Sequence, residues 1–348
     1  MTGDAPLLEA EALSKRFGGG LGRKSVLAVA GASLSIRRRE TVALVGESGS
    51  GKSTLGRLLT RLIEPDTGTI RFDGADVRAM DRPALTAFRA RVQMVFQDPM
   101  ASLNPRHRIS TTLTRPVRLH HPGLSRAALR ERAAEALREV GLGDEALDRF
   151  PHEFSGGQRQ RIMIARALSV GPQLLIADEP VSALDVSVQA QIVTLLERLK
   201  RDLGLAQLFI AHDLALVRRI ADRVVVMYRG RIVETGPTAA VFAAPAHPYT
   251  RALLNAAPRI GARPSDAAVI EGEGAGAGCV YAGRCALAEP ACRAAEPASI
   301  RVGADRLVAC IRPLSDASAG PPATPEPARV ARIRALHAAL SARFEMSD

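Results

Sequence analysis

The segment Thr41–Thr54 reads TVALVGESGSGKST and joins a short apolar run to a glycine-rich loop. The run VALV is typical of a buried strand, and Gly46, Gly51, Lys52 and Ser53 have the spacing of a phosphate-binding loop (P-loop). Glycines in such a loop let successive backbone N–H groups turn inward around phosphate oxygens. The helix that we expect to begin near Lys52 would direct the positive end of its dipole at the same anion. The segment therefore predicts a nucleoside triphosphate site.

Separate roles are expected for the residues of this loop. Lys52 would reach the β- and γ-phosphates, and the Ser53 hydroxyl would bind Mg²⁺. A glycine turn that only joins a strand to a helix is the alternative, which the amphipathic segment GRLLTRLI directly after the loop disfavours. The residues expected to contact ATP and Mg²⁺ are Gly46, Glu47, Ser48, Gly49, Ser50, Gly51, Lys52, Ser53 and Thr54.

Length and composition indicate one large globular domain with a smaller addition. The chain has 348 residues, of which 47% are hydrophobic and 24% charged. No run approaches the roughly 18 apolar residues of a membrane span. The N-terminus, with Asp4, Glu9 and Glu11, lacks the apolar core of a signal peptide. These features predict a cytoplasmic protein.

The charge and the cysteines restrict the possible partners. A net charge of +11 could attract nucleic acid or an anionic membrane surface, but the arginines are scattered and aromatic residues make up only 3%, so we expect no nucleic-acid partner. All cysteines lie between Cys279 and Cys310. This clustering in a cytosolic chain favours a metal site over disulfides, with free buried thiols as the alternative.

Short strands are predicted on both sides of the loop GGGLGRKS. They span 7–17 and 32–36, and we expect them to pair antiparallel. Phe17 ends the first strand, where its ring could stack on adenine or serve as an ordinary buried residue. The remaining predicted elements are a helix at 125–140 capped by Ser125 and strands at 69–72, 92–96, 174–179, 207–212, 222–228 and 232–235.

Further motifs follow the P-loop in a fixed order, and together they resemble the ATP-binding cassette (ABC) family. In chain order they are Gln97, which resembles the Q-loop glutamine; Phe154-Ser155-Gly156-Gly157-Gln158, which resembles the signature sequence with Phe in place of the usual Leu; LLIADE at 174–179, similar to Walker B; SALD at 182–185, similar to the D-loop; and His212 after a strand. The sequence is thereby identified as a member of this family.

The resemblance implies an α/β fold: a P-loop NTPase cassette with a RecA-like core, an antiparallel β subdomain and a helical subdomain at about residues 100–160. It also implies that Asp178, Ser53 and Gln97 hold Mg²⁺. Glu179 would orient and partly deprotonate the attacking water as the general base, and His212 would bond the γ-phosphate. Since adjacent strand residues point to opposite sides, Asp178 and Glu179 can serve one site only if the chain turns at the strand end.

The signature motif carries an implication for assembly. In the family, a signature faces the nucleotide of another cassette, so two cassettes sandwich two ATP molecules head to tail. The residues that would contact nucleotide in this way are Ser155, Gly156, Gly157 and Gln158, together with Asp185 of the D-loop. The isolated chain should therefore hydrolyse ATP slowly.

Two further stretches, QDPMASLNPR at 97–106 and AHPYTRALL at 246–254, resemble the ATPases of oligopeptide and dipeptide importers. The implied division is a cassette at 1–260, a cysteine-rich C-terminal region at 261–320 and a tail at 321–348. We expect a linker at 272–278 and an amphipathic helix at 329–344. The cysteine-rich region is short of large apolar residues, so we expect that it needs a metal to become ordered.

The cysteine spacing lacks the CxxC pairs of a zinc ribbon. It resembles the cysteine-rich C-terminus of peptide-importer ATPases, where four thiolates hold an iron–sulfur (4Fe–4S) cluster, and zinc remains the alternative. The residues of this candidate metal site are Cys279, Cys285, Cys292 and Cys310.

The implied function is ATP hydrolysis that drives import of di- or oligopeptides. The implied partners are a second cassette, two permease subunits and an extracytoplasmic solute-binding protein, with the chain peripheral on the cytoplasmic face of the inner membrane. One alternative is an importer of nickel or another small solute. Another is a soluble cassette ATPase of translation or DNA repair, which would usually carry a second cassette or a long coiled-coil insertion.

Overall fold

The computed structural model describes residues 5–18, 25–182, 184–256 and 277–314. The chain divides into two compact units, 1–314 and 315–348, and the described residues all belong to the first. The predicted tail helix at 329–344 and the predicted linker up to residue 276 lie outside these ranges.

The described residues form two β-sheets. In chain order the strands are β1 (Leu8–Phe17), β2 (Val26–Ile36), β3 (Thr41–Val45), β4 (Thr67–Phe72), β5 (Ala75–Asp76), β6 (Val92–Val95), β7 (Leu174–Asp178), β8 (Ala206–Ala211), β9 (Arg223–Tyr228), β10 (Arg231–Pro237), β11 (Ile300–Arg301) and β12 (Leu307–Val308).

The smaller sheet is antiparallel and has the order β2-β1-β4-β5. The larger sheet has the order β11-β12-β10-β9-β3-β8-β7-β6. Its strands from β9 to β6 are parallel, and β10, β12 and β11 extend one edge in antiparallel pairing. The predicted antiparallel patch and the parallel P-loop core are both present.

Helices follow most strands of the larger sheet. In chain order they are α1 (Lys52–Leu59), α2 (Arg82–Arg91), α3 (Pro99–Ser102), α4 (Ile109–His120), α5 (Arg126–Glu139), α6 (Gly156–Leu168), α7 (Val186–Leu203), α8 (Leu214–Ile220), α9 (Thr238–Ala243), α10 (Pro248–Ala256) and α11 (Pro290–Ala294). None of the helices in the described ranges is long and apolar enough to cross a membrane.

The larger sheet has an apolar core on each face. In β3, Val42 and Leu44 pack with α1 and with the inner residues of the smaller sheet. The alternate residues Ala43 and Val45 pack into a second core with α4, α5, α6 and α7. Because both faces are covered, the strand reads as a continuous apolar run rather than an alternating one. This is why VALV marks the centre of the fold.

Most predicted elements match the structure within two residues. Ser125 caps α5 by accepting a hydrogen bond from the Ala128 N–H at 3.2 Å, as predicted. The start of β2 is the clearest difference, because the strand begins at Val26 rather than at residue 32. Val26 and Leu27 are exposed, so the first residues of β2 do not show the apolar alternation by which a half-buried strand is predicted. They belong to the strand because their backbones pair with β1.

The cysteine-rich region packs onto the larger sheet. Instead of depending on its own few apolar residues, it adds β11 and β12 to the larger sheet and inserts Tyr281 and Val308 into buried positions. Docking onto an existing core thus buries apolar surface that this region could not bury alone.

One buried carboxylate joins three parts of this C-terminal half. Glu234 of β10 is 0% exposed and accepts hydrogen bonds from the backbone N–H groups of Ala246 and His247 at 3.0 and 2.9 Å. It also accepts one from Nη2 of Arg306 at 3.0 Å. Glu234 therefore fixes the segment before α10 and the loop before β12 against the sheet. Sequence reasoning assigned Glu234 only to a strand.

We expect Glu234→Ala to lower the free energy of unfolding by about 3–5 kcal/mol, because removing one partner of a buried ion pair leaves the other uncompensated. Chemical denaturation measures this change. The control is Glu289→Ala, which removes an exposed ion pair with Arg312 and should cost less than about 1 kcal/mol. Equal effects of the two substitutions would contradict the organising role of Glu234.

Candidate active site

Parallel strands bring the predicted site residues to one edge of the larger sheet. β3 lies between β9 and β8, and β7 lies on the other side of β8. Because these strands run in the same direction, their carboxyl ends meet at one edge, where open α/β sheets bind ligands. The P-loop follows β3, Asp178 ends β7, and His212 follows β8.

Two glycines let the P-loop pass close to neighbouring backbones. Gly46 has φ 153°, and a Cβ there would lie 2.0 Å from the carbonyl oxygen of Met227 in β9. Gly51 has φ 101°, and its Cβ would lie 2.1 Å from the carbonyl oxygen of Ala28 in β2. A side chain fits at neither position. The loop is therefore held between the two sheets.

Lys52 lies inside this loop and is only 5% exposed. Its Nζ donates to the carbonyl oxygens of Gly46 and Glu47, each at 2.8 Å. Burial lowers the pKa of the ammonium, while the nearby carboxylates oppose this change. The cation is thus held by neutral acceptors, which an anionic phosphate can replace.

Ser53 and Asp178 meet beside Lys52. The Ser53 hydroxyl donates to Oδ1 of Asp178 at 2.8 Å, and Asp178 is 2% exposed. Burial raises the pKa of this carboxyl, and the hydrogen bond from Ser53 partly offsets the rise. A divalent cation would stabilise the ionised carboxylate, and Mg²⁺ prefers hydroxyl and carboxylate oxygens. The two side chains therefore fit the predicted Mg²⁺ site.

Glu179 adopts a left-handed backbone conformation with φ 46°, which is unusual for a residue with a side chain. This turn, one residue past β7, lets Glu179 face the predicted catalytic residues while Asp178 faces Ser53. Oε2 of Glu179 accepts a hydrogen bond from Nε2 of Gln97 at 3.0 Å and lies 3.5 Å from Nδ1 of His212. The required turn at the strand end is confirmed, and all three residues predicted to be catalytic lie together.

A cavity of about 440 Å³ opens beside these groups. Its lining includes predicted residues of the P-loop together with Gln97 and Glu179. Sequence reasoning missed the residues contributed by β2 and by the β9–β10 turn, which are Val26, Leu27, Ala28, Arg229 and Gly230. The sequence marks Arg229-Gly230 only as a turn. Packing of the smaller sheet against the P-loop places the β2 residues at the cavity, and a hydrogen bond from the Gly230 N–H to the Ser50 carbonyl at 2.8 Å holds the β9–β10 turn there.

Phe17 lies at the end of β1, where its Cα pairs with Val26 of the cavity lining. Its side chain is 41% exposed, so the interpretation as an ordinary buried strand residue is wrong. Nζ of Lys15 lies 5.8 Å from the ring centroid. Phe17 is thus an exposed residue whose partner in β2 lines the cavity, and its contact with adenine stays a prediction.

The signature residues lie at the start of α6. The Ser155 hydroxyl accepts from the Gln158 N–H at 3.3 Å, and the Gln158 side chain accepts from the Ser155 N–H at 2.9 Å, which forms a capping box. Phe154 is buried, as expected for an apolar replacement of Leu. Ser155, Gln158 and the D-loop Asp185 are exposed, and the lining of the cavity beside the P-loop includes none of them.

The four cysteines line one small cavity of about 20 Å³, together with His247 and Tyr281. The Cys279 N–H donates to the Cys292 carbonyl at 2.7 Å. Burial raises the pKa of the Cys279, Cys285 and Cys310 thiols. The fold therefore brings the four predicted ligands together. Within the described ranges, however, no group of three or more His, Cys, Asp or Glu side chains is arranged to hold a metal ion.

Two family models match the sequence. One, described as ABC transporter, matches residues 29–182. The other, described as the C-terminal region of oligopeptide/dipeptide transporters, matches residues 233–292. The first range contains most of the site, and the second includes three of the four cysteines.

Curated relatives match over most of the chain. A putative oligopeptide transport ATP-binding protein of Bacillus subtilis is 44% identical, with 88% of this chain and 95% of the relative covered. A probable peptide ABC transporter ATP-binding protein of Sinorhizobium fredii is 50% identical, with 82% of each chain covered.

Solved structures share the fold. A dimeric post-hydrolysis state of the ATP-binding cassette MJ0796 bound to ADP and Pi has a TM-score of 0.60 and 28% identity, and the match covers 66% of this chain and 98% of that one. CbiO1 from Clostridium perfringens, part of the transporter complex cbiONQ, has a TM-score of 0.60 and 30% identity over 68% of this chain and 90% of that one.

We expect Glu179→Gln to bind ATP normally but to lower its turnover in the assembled complex by about 100-fold or more, since a general base contributes about 10²–10⁴-fold. The amide keeps the shape of the side chain and loses the basic oxygen. Phosphate release and nucleotide binding are measured together. Glu197→Gln, a half-buried residue of α7 that pairs with Arg219 and is absent from the cavity lining, serves as the control and should turn over normally. Unchanged hydrolysis by Glu179→Gln would refute its role as the base.

Proposed function

The chain belongs to the ABC transporter family, and we propose that it is the ATP-hydrolysing subunit of a peptide importer. The observation that carries the peptide assignment is the match of residues 233–292 to the C-terminal region of oligopeptide/dipeptide transporters. Relatives named for peptide transport support it over more than four-fifths of the chain. The resemblance identified from the sequence is thus confirmed.

The site supplies the groups that ATP hydrolysis requires. Catalysis of phosphoryl transfer depends mainly on positioning the reacting groups and stabilising the charge on the phosphates, and little on covalent chemistry by the protein. Lys52 would bind the phosphates, while Ser53, Asp178 and Gln97 would hold Mg²⁺. Glu179 activates water, and Gln97 holds the Glu179 carboxylate in position through the 3.0 Å hydrogen bond.

Assembly as a pair of cassettes follows from the position of the signature. The exposed start of α6 carries the positive end of the helix dipole, which suits an anion. Because these residues lie outside the cavity beside this chain's own P-loop, they are available to a nucleotide on a second cassette. The two chains then complete each other's sites.

Two permease subunits and an extracytoplasmic solute-binding protein are the further partners of this assembly. The chain would lie peripherally on the cytoplasmic face of the inner membrane. The second candidate function is the ATPase of an importer of nickel or another small solute. The ATP site would be the same in both, and the two functions differ in the transported compound. A cassette ATPase without a transporter is disfavoured by the C-terminal match.

In cells that lack this protein, we expect the wild-type chain to restore uptake of a labelled peptide and Ser155→Arg to fail. Arginine places a cation and a large side chain where a partner's phosphate would bind. The purified Ser155→Arg chain should still bind ATP at its own P-loop, which is the control. Restored uptake of nickel but not of peptide would replace the peptide assignment, and loss of ATP binding by Ser155→Arg would refute the shared sites.

We also propose that the four cysteines hold a metal centre, with an iron–sulfur cluster preferred over zinc. Support comes from the convergence of all four side chains on one cavity. Burial raises the pKa of the Cys279, Cys285 and Cys310 thiols, and a metal would compensate by binding the thiolates. The cysteine spacing, which lacks the CxxC pairs of a zinc ribbon, favours the cluster over zinc. The centre would stabilise the fold and perform no redox step.

Protein purified without oxygen should contain iron and acid-labile sulfide, and Cys285→Ser should lose both while it still binds ATP. The neighbouring exposed side chain of α11 provides a control, because Arg293→Ala should keep its iron. Stoichiometric zinc without iron would reassign the metal. Four reactive thiols with no metal under these conditions would refute the proposal.

A further inference from the structure

The cysteine-bearing segment contacts the P-loop directly. Nη1 of Arg284, the residue before Cys285, donates to both carboxylate oxygens of Glu47 at 3.0 Å. Glu47 is the second residue of the P-loop, and 237 positions separate it from Arg284. The same nitrogen lies 3.4 Å from the Tyr228 hydroxyl. Neither the motif pattern nor the site described above accounts for this contact.

A second contact holds the same residue of the loop. The backbone N–H of Glu47 donates to the hydroxyl of Tyr249 at 2.9 Å. Tyr249 is 1% exposed and packs against Tyr228 and Tyr281, with ring centroids 4.5 and 5.4 Å apart. The guanidinium of Arg284 lies 5.9 Å from the centroids of the Tyr228 and Tyr281 rings. This packed aromatic cluster fixes the direction from which Arg284 approaches.

The charge of Glu47 bears on phosphate binding. Lys52, which binds the phosphates, is hydrogen-bonded to the Glu47 carbonyl at 2.8 Å. The Glu47 carboxylate is also close enough to interact electrostatically with the Lys52 ammonium. A carboxylate beside an anion site repels the incoming phosphates unless a cation neutralises it. Arg284 supplies that cation.

We propose that Arg284 is a positioning residue for ATP binding: it neutralises Glu47 and holds the start of the P-loop against the cysteine-bearing segment. The inference depends on ATP binding alone and not on the cargo or on the metal. The side chains of Arg284 and Glu47 are 27% and 42% exposed, so solvent screens part of their interaction. The expected effect on affinity is therefore moderate, about two- to fivefold.

A double-mutant cycle on the full chain tests this role, with MgADP as the probe and isothermal titration as the measurement. Arg284→Ala should weaken MgADP binding by about two- to fivefold. Arg284→Lys keeps the charge and should restore most of the affinity. In a Glu47→Gln background, where no charge needs neutralising, Arg284→Ala should change the affinity little. Arg312→Ala removes an ion pair of the same segment away from the P-loop and is the control.

Two results would overturn the proposal. One is unchanged MgADP affinity in Arg284→Ala. The other is an equal loss of affinity with and without the Glu47 charge, since this would mean that Arg284 does not act through Glu47. Thermal unfolding is measured for the wild type, Arg284→Ala, Glu47→Gln and the double variant. If the Arg284–Glu47 pair has a purely structural role, the two substitutions will be coupled in their effect on the melting temperature and not in their effect on MgADP affinity. Failed peptide uptake would leave the cycle unaffected, so the two proposals are tested separately.

Discussion

The close approach of the P-loop to two neighbouring backbones is the constraint on which the site depends. At Gly46 the loop contacts β9 of the larger sheet, and at Gly51 it contacts β2 of the smaller sheet. A Cβ at either position would overlap a carbonyl oxygen, so only glycine permits the packing. The two sheets therefore meet at the loop, and this packing adds residues of β2 to the lining of the cavity beside the P-loop.

Charges buried beside this loop show how the site is prepared for its ligand. Lys52 and Asp178 are both nearly inaccessible to solvent. Burial lowers the pKa of Lys52 and raises that of Asp178, and both shifts favour the neutral form of the side chain. Bound Mg²⁺ and phosphate would compensate these two charges. Binding of MgATP would thus relieve an electrostatic cost that the fold imposes on the empty site.

The C-terminal segment is structurally connected to the nucleotide chemistry. Glu234 fixes the loop before β12 and the segment before α10, while Arg284 and Tyr249 reach Glu47 of the P-loop. A segment that the sequence presents as an addition is therefore part of the surroundings of the site.

By itself the sequence determined the features that depend on local pattern. The apolar runs predicted β3, β7 and β8, and the Ser125 cap predicted α5, because an apolar run and a cap are both visible in residues that are neighbours in the chain. Motif order also predicted that Gln97, Glu179 and His212 would lie together. Their conjunction needs only parallel strands that end at the same edge of a sheet.

Only the tertiary structure decided the contacts between distant segments. The early start of β2, the docking of β11 and β12, and the Arg284–Glu47 pair have no marker in the local pattern. An exposed strand residue is defined by the partner strand that binds its backbone, and an ion pair is defined by the positions of two charges in space. Both depend on how the chain packs, which residue spacing does not encode.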